Sequence, residues 1–155
     1  MATIDLRQGD HASTSPLATD GLGPVSVRRI EIDFATAKSG GVVGAGDTLQ
    51  VLHLPVGTMV LDCAVDVIKL AGAALTIDVG PYTHSTDAAI TADGFINGMD
   101  LNASLGIKRV TLGTLLTGGI HWVNASDVAS DISILSVNAG GAAKIALLVT
   151  VIALS

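Results

Sequence analysis

The 155-residue sequence has little charge, few aromatic side chains, one cysteine and one glutamate. Charged residues make up 14% and hydrophobic residues 49%, whereas a typical soluble domain is about 25% charged. This composition excludes a wholly disordered chain, which is rich in charge and poor in apolar residues. A coiled coil is excluded because Glu31 is the only glutamate in the chain. An intramolecular disulfide is excluded because Cys63 is the only cysteine.

Basic residues are also scarce. Eight Lys and Arg stand against fourteen Asp and Glu, which gives a net charge of −6. Nucleic-acid binding needs a basic surface or stacking aromatic residues, so we predict no nucleic-acid partner. The most hydrophobic tract, residues 145–154, has about half the length of a membrane-spanning helix, so we predict no membrane partner. The polar residues 1–14 lack the apolar region of a secretion signal.

The residues that are abundant favour β-structure. Asp outnumbers Glu thirteen to one, and Asp, Asn, Gly and Ser are turn residues, while Val, Ile and Thr favour strands. Short apolar segments between glycine-rich breaks predict about eight strands. These segments are residues 27–35, 47–54, 58–70, 75–79, 107–112, 119–124, 131–137 and 143–154. The predicted fold is an all-β antiparallel sandwich, with an eight-stranded jelly roll as first choice.

Other parts of the chain complete this prediction. Residues 1–26 show no sustained period and are predicted to be an extended N-terminal arm, with the sandwich domain in residues 27–155. Residues 82–106 form a long connection, of the kind that is often functional. We expect the last two strands to form a hairpin. The final strand, residues 143–154, is apolar on both faces, so we expect its second face to be covered by the arm, the long connection or another chain.

The four histidines are the first candidates for chemistry: His11, His53, His84 and His121. No two have the spacing of a helical metal motif, and Glu31 has no histidine near it in sequence. His53 and His121 lie in apolar strands, which favours structural histidines. His84 lies in the long connection, where solvent exposure is the default. The sequence therefore predicts no metal ligand.

The sequence also gives no support for a catalytic nucleophile or for a loop that binds a cofactor. Cys63 lies on the alternating apolar face of its strand, with Met59 and Leu61, and is predicted to be a small buried core residue. No Gly-x-Ser-x-Gly motif occurs. The glycine-rich residues 40–46 lack the Gly-Lys-Ser/Thr ending of a phosphate loop and are interpreted as a connection. We predict no catalytic residue, no cofactor and no enzymatic activity.

One polar cluster leaves an alternative open. Asp93, Asn97 and Asp100 recur in the 93–100 loop, and their oxygens are ligands of the kind that Ca²⁺ takes. The spacing does not match an EF-hand, and turn formation alone explains Asp-Gly and Asn-Gly pairs. Turn residues are the favoured interpretation, and calcium binding by this loop stays open.

Three segments carry a family resemblance. Residues 46–58 read GDTLQVLHLPVGT, residues 75–80 read LTIDVG and residues 93–98 read DGFING. This order of turns and strands, over residues 25–155, resembles the head-decoration, or cement, proteins of tailed bacteriophages. The resemblance implies a jelly roll on the outside of an icosahedral shell that clamps neighbouring capsomers. It also implies oligomers without chemistry.

The favoured hypothesis is a structural virion protein that binds the outer surface of an icosahedral phage capsid. It would stabilise the shell by bridging neighbouring major capsid protein subunits. We expect a homo-oligomer, a dimer or trimer, made in the host cytoplasm and located on the capsid exterior. Residues 1–26 and the 82–106 connection are the predicted contact elements, because segments that order on binding can wrap large surfaces.

Two alternatives remain. The first is a jelly-roll carbohydrate- or receptor-binding module of a phage particle, in which Trp122 beside His121 would supply the sugar site. The second is a small metal-dependent enzyme of the cupin type, which would need histidines clustered on neighbouring strands.

Overall fold

A computed structural model describes residues 3–6, 25–38, 42–84, 86–108, 122–123, 130–138 and 141–153. No helix occurs in these ranges, and hence none long and apolar enough to cross a membrane. Ten strands occur there: β1 Thr3–Asp5, β2 Ser26–Asp33, β3 Thr48–Leu54, β4 Thr58–Lys69, β5 Thr76–Thr83, β6 Ile96–Asp100, β7 Gly106–Lys108, β8 Trp122–Val123, β9 Ser130–Ser136 and β10 Lys144–Ala153.

The strands form two sheets. The first has the order β1-β3-β9-β5-β6 and the second β2-β10-β4-β7, with β8 also paired to β4. All pairs are antiparallel except β1 with β3. The inward side chains of both sheets form one hydrophobic core, which includes Leu49, Ile134, Val65 and Leu147. The predicted all-β antiparallel sandwich is confirmed.

The order of pairing is nested along the chain. Strand β2 pairs with β10, β3 with β9, β4 with β7, and β5 with β6. The eight strands therefore follow the path of one long hairpin that is folded over into two sheets. This nested path is the connectivity of an eight-stranded jelly roll.

The predicted hairpin of the last two strands is wrong. Strand β9 lies between β3 and β5 in the first sheet, whereas β10 lies between β2 and β4 in the second. Beside Ala71 the chain crosses between sheets, and Gly141 has a φ of 113° there. A Cβ on Gly141 would lie 2.6 Å from the Ala71 carbonyl oxygen. Only glycine fits this backbone conformation and this close approach.

The central position of β10 explains why it is apolar on both faces. Ile145, Leu147 and Val149 are buried in the core. On the opposite face Ala146 is buried and Leu148 is partly buried between the side chains of the flanking strands. Both edges of β10 are paired, so it has no open edge that another chain would need to cover.

Two strands differ locally from their predicted form. In β4 a bulge lies at Leu61, where the register with β10 shifts. The bulge reverses the alternation, so Val60 is buried and Leu61 is exposed, contrary to prediction. Strand β5 does not end before the predicted turn at Gly80 but continues to Thr83. Pro81 has no backbone N–H to donate to a neighbouring strand. It is tolerated because the pairing of β5 with β6 ends at Val79, before Pro81 is reached.

The long connection and the arm are each partly structured. Strand β6 lies inside the predicted 82–106 connection, where Met99 of the strand and Phe95, directly before it, are buried. Strand β1 lies inside the predicted 1–26 arm and extends the first sheet, with Ile4 and Leu6 packed on the core. Residues 7–24 lie outside the described ranges, so the arm and its boundary stay a prediction.

Candidate functional site

Two histidines and an aspartate meet on the outer face of the first sheet. His53 of β3 and Asp131 of β9 are cross-strand partners, and Asp131 also faces Tyr82 of β5. His84 follows the end of β5, one residue after Thr83. Because β9 is central in its sheet, its aspartate is within reach of both neighbouring strands.

Hydrogen-bonding distances join the three side chains. The Nδ1 atom of His53 lies 3.0 Å from Oδ1 of Asp131. The Nδ1 atom of His84 lies 3.0 Å from each carboxylate oxygen. The two imidazole rings meet edge to face, with centroids 4.4 Å apart. Both rings thus direct the same nitrogen toward one carboxylate.

The cluster is buried at the carboxylate and open at the histidines. The Asp131 side chain has no solvent exposure, while those of His53 and His84 are 34% and 43% exposed. A carboxylate taken out of water is costly unless polar partners compensate for the lost hydration. The two imidazole nitrogens are such partners. Because the histidine side chains are partly exposed, the cluster can be reached from solvent.

Residues 86–92 lie over the neighbouring part of this face. A Cβ on Gly80 would lie 1.9 Å from the Thr91 carbonyl oxygen, so the segment is in direct contact with the strand backbone. Gln50 of β3 donates a hydrogen bond to the Asp87 carboxylate across the sheet. A glycine inside a strand often marks such a close backbone approach. Segment 86–92 therefore covers a polar face.

The polar residues beneath segment 86–92 have almost no solvent exposure. Gln50, Ser133 and Gly80 are aligned across β3, β9 and β5, next to the histidine row. Gln50 is 2% exposed and Ser133 is fully buried. The Ser133 Oγ atom has no hydrogen-bond partner among the described residues. Burial also raises the pKa of the nearby Tyr82 hydroxyl, which Thr48 hydrogen-bonds.

The His53, His84 and Asp131 side chains offer a set of metal ligands. One donor atom from each lies within 4.8 Å of the other two, and no second such group occurs within the described ranges. Two imidazole nitrogens and a carboxylate oxygen are ligands that Zn²⁺ takes in proteins. A hydrogen-bonded His-Asp-His cluster uses the same atoms, so the geometry accommodates either arrangement.

The sequence did not bring these residues together. The sequence indicates a structural histidine at His53 and an exposed one at His84, and the structure has the two side chains 34% and 43% exposed. Asp131 lies 78 residues after His53, so no local pattern in the sequence links the two. Only the strand order β3-β9-β5 makes them neighbours. His11 and His121 lie outside the described ranges, as does the side chain of Trp122.

The other candidates take structural roles. Cys63 is buried, and burial raises the pKa of its thiol. Asp93 accepts a hydrogen bond from the Asn97 amide at 3.0 Å, and Asp100 accepts one from the Asn102 backbone N–H at 2.8 Å. The predicted 93–100 loop is a turn that leads into strand β6, which contains Asn97 and Asp100, and both aspartates make local hydrogen bonds.

The second sheet presents a different outer face. Ile107 of β7 is 65% exposed and Val27 of β2 is 63% exposed. Val67 of β4 points into the core, so its neighbours Asp66 and Ile68 point outward. Ile107 is the cross-strand partner of Asp66 and therefore points outward as well. Leu105, directly before β7, is 61% exposed. Apolar side chains thus project from this sheet and its edge.

A groove of about 740 Å³ runs along β2, between the two sheets. Its rim carries Glu31, the only glutamate, which pairs with Arg29 and lies 3.4 Å from the Lys144 ammonium. The hydrogen bond from Arg29, followed by the contact with Lys144, holds the pKa of Glu31 below its usual range. A carboxylate held ionised in this way is unsuited to act as a general acid at neutral pH.

The comparisons with known proteins concern the fold. No protein-family model matches the sequence, and no curated protein matches it. Among solved structures, a chain of "Capsid of Ralstonia phage GP4" is similar with a TM-score of 0.64 and 16% identity over 99% of each chain. A chain of "Cyanophage Pam1 capsid asymmetric unit" is similar with a TM-score of 0.61 and 18% identity, over 94% of this chain and 95% of that one. At these identities the likeness establishes a shared fold over nearly the whole chain.

Proposed function

We propose that the protein is a structural virion protein that binds the outer surface of an icosahedral phage capsid. It acts as a homo-oligomer, a dimer or trimer, that bridges neighbouring major capsid protein subunits. The observation that carries the proposal is the shared fold over 99% of both chains with a protein of a phage capsid. The resemblance of residues 46–58, 75–80 and 93–98 to phage decoration proteins supports the same function from the sequence.

The exposed apolar side chains of the second sheet support a docking role. Val27, Leu105 and Ile107 each keep more than half of their surface in water. Transfer of such a side chain into an interface contributes about 1.5–3 kcal/mol. We infer that this face, with Ile68, contacts the major capsid protein. On this proposal the 86–92 segment faces away from the shell, so only the end of the predicted 82–106 contact element, at Leu105, takes part in the contact.

The test uses empty shells of the source phage, assembled from its major capsid protein without this chain. The purified protein is mixed with the shells, and the bound fraction is measured by sedimentation over a range of concentrations. We expect saturable binding by the wild type and heat resistance that rises with occupancy. Absence of co-sedimentation at any concentration would refute the proposal.

A pair of exposed substitutions locates the contact. Ile107→Asp places a charge on the proposed interface and should weaken shell binding at least about tenfold, because burial of an unpaired charge is costly. Val56→Asp makes a similar change in the turn between β3 and β4, where Val56 is 50% exposed, and should bind as the wild type does. Equal binding by both variants would exclude the second sheet as the docking face.

The predicted arm needs a variant that leaves β1 intact. Deletion of residues 1–20 would also remove β1, whose Ile4 packs on the core. Replacement of residues 8–20 by a Gly/Ser sequence of equal length retains the strand and the connection. If the arm contacts the shell, the replacement lowers shell affinity without a change in the unfolding midpoint. Unchanged affinity would assign binding to the folded domain alone.

The alternative function as a carbohydrate-binding module has no supporting contact among the described side chains. A glycan array with the wild type and Trp122→Ala separates it from the capsid function. Glycan binding that Trp122→Ala abolishes, together with no affinity for shells, would favour the alternative.

A further inference from the structure

We propose that His53, His84 and Asp131 form a binding site for a divalent transition metal of the zinc class. The site would fasten the turn after β5 to the outer face of the first sheet. The inference is independent of the capsid function, because it concerns three side chains on the opposite face from the proposed docking surface.

The separations between the donor atoms fit such an ion. Zinc lies about 2.0–2.1 Å from imidazole nitrogen and carboxylate oxygen, which places the ligands of a tetrahedral site about 3.3 Å apart. The Nδ1 atoms of His53 and His84 each lie 3.0 Å from an Asp131 oxygen. An outward movement of a few tenths of an ångström would therefore open the space between them for a metal ion.

The chemistry of the donors also selects the ion. Two imidazoles and one carboxylate suit zinc and its neighbours in the first transition series. Calcium takes six to eight oxygen ligands, and magnesium prefers oxygen and water. The cluster offers nitrogen from His53 and His84, so it disfavours both of the hard cations. Three protein ligands leave a fourth position for water or for a group from another molecule.

Burial and access complete the argument. Asp131 has no exposed surface, so its carboxylate is held by the fold whether or not an ion is bound. The partly exposed histidines give an entry path from solvent. The buried Ser133 hydroxyl, two residues along β9 and without a hydrogen-bond partner among the described residues, adds a polar group on the same face. A buried carboxylate with two partly exposed imidazoles beside it provides the ligands of a metal site together with an entry path.

A bound ion would act on the turn that carries His84. Here the Asp87 N–H donates to the Thr83 carbonyl at 2.9 Å, and the Thr83 N–H donates to the Ala88 carbonyl at 2.8 Å. The ion would link this turn to β3 and β9 through His84. Amide exchange at Thr83 and Asp87 should therefore slow when the metal binds, because opening of the turn would require loss of a ligand.

The test is a zinc titration of chelator-treated, dialysed full-length protein, followed by calorimetry and by elemental analysis after gel filtration. We expect one equivalent of zinc, a raised thermal midpoint and no binding of calcium at the cluster. His84→Ala removes an exposed ligand without opening the core and should weaken zinc binding at least about tenfold. His53→Ala should do the same. Asp93→Asn, in the turn before β6, should leave zinc binding unchanged.

Cobalt provides a second readout that does not depend on stability. Tetrahedral Co²⁺ with nitrogen ligands absorbs visible light far more strongly than the hydrated ion, so the wild type should develop colour at one equivalent and His84→Ala should not. A wild type that retains no zinc after gel filtration would overturn the proposal. Zinc binding of equal affinity in the wild type, His84→Ala and His53→Ala would also overturn it, because the ion would then lie elsewhere.

Discussion

The outer faces of the two sheets differ in how far their side chains are covered by other parts of the chain. The first sheet carries Gln50, Asp131 and Ser133 outward, and all three are buried. The second sheet carries Val27 and Ile107 outward, and both are more than 60% exposed. Water would favour the reverse arrangement, with polar residues exposed and apolar residues covered. The polar residues of the first sheet are covered by the protein's own chain, whereas Val27 and Ile107 stay exposed on an outer face that also carries charged side chains.

This contrast separates a sheet whose outer face is packed within the protein from a sheet whose outer face keeps apolar side chains exposed. Residues 86–92 and the histidine cluster fix the first sheet internally. The second sheet retains apolar surface that contributes to binding only when another molecule covers it. Substitutions on the two faces should therefore differ in how much they change the free energy of unfolding.

The largest effect is expected beneath the segment that covers the first sheet. In Gly80→Ala the new Cβ would overlap the Thr91 carbonyl oxygen, which lies only 1.9 Å from its position. The strand or the segment must move, and we expect a loss of about 3 kcal/mol in the free energy of unfolding, measured in urea. Gly44→Ala is the control, since its Cβ would meet only an ordinary contact of 3.5 Å with Asp47. Equal stability of both variants would mean that the segment does not press on β5.

A smaller effect is expected from Gln50→Ala. The substitution removes the hydrogen bond to Asp87 and leaves space under the segment, which should cost about 1–2 kcal/mol. Val27→Ala, on the opposite outer face, should change stability by less than about 0.5 kcal/mol because Val27 is 63% exposed. Chemical unfolding of both variants measures the difference. A greater loss in Val27→Ala would reverse the assignment of covered and free faces.

Between the two faces, Cys63 tests how tightly the core is closed. Burial raises the pKa of its thiol, so the folded state holds the proton more strongly than the unfolded state does. This contribution to stability is present below the ordinary thiol pKa and is lost as the pH rises above it. We expect no reaction with thiol reagents in the native protein and a decline in stability at alkaline pH that Cys63→Ala reduces. Rapid labelling of the native thiol would contradict the closed core.

The smallest effect is expected at the exposed ion pairs of Glu31. Its pKa is lowered by Arg29 and Lys144, so its contribution to stability is present above the usual carboxyl pKa and is lost as the pH falls through the folded value. Because the group is exposed and salt screens it, Glu31→Gln should leave the unfolding midpoint unchanged at neutral pH and moderate salt. A clear loss of stability in this variant would show that the rim of the β2 groove matters more than its exposure suggests.

The fold was predictable because its signals are local. Alternating residues in β2 placed Ile30 and Ile32 inward and Arg29 and Glu31 outward, as the structure has them. The predicted hairpin of β9 and β10 failed because strand pairing in a jelly roll joins segments far apart in sequence. The bulge at Leu61 also left no mark in the alternation of β4.

The histidine cluster could not be predicted for the same reason. His53, His84 and Asp131 come from three places in the chain, and their proximity depends on the order of β3, β9 and β5. The Gly80-Pro81 pair predicts a turn, because glycine followed by proline usually ends a strand. Its true role, close contact with Thr91, is a tertiary effect that the local sequence does not encode.

Cryo-electron microscopy of source-phage shells saturated with this protein tests the central claim most directly. We predict density on the outside of the shell at the junctions between major capsid protein subunits, with Ile107 and Val27 against the shell and residues 86–92 facing solvent. Shells without added density, or density in which the first sheet contacts the shell and the apolar face of the second sheet remains in water, would contradict the account.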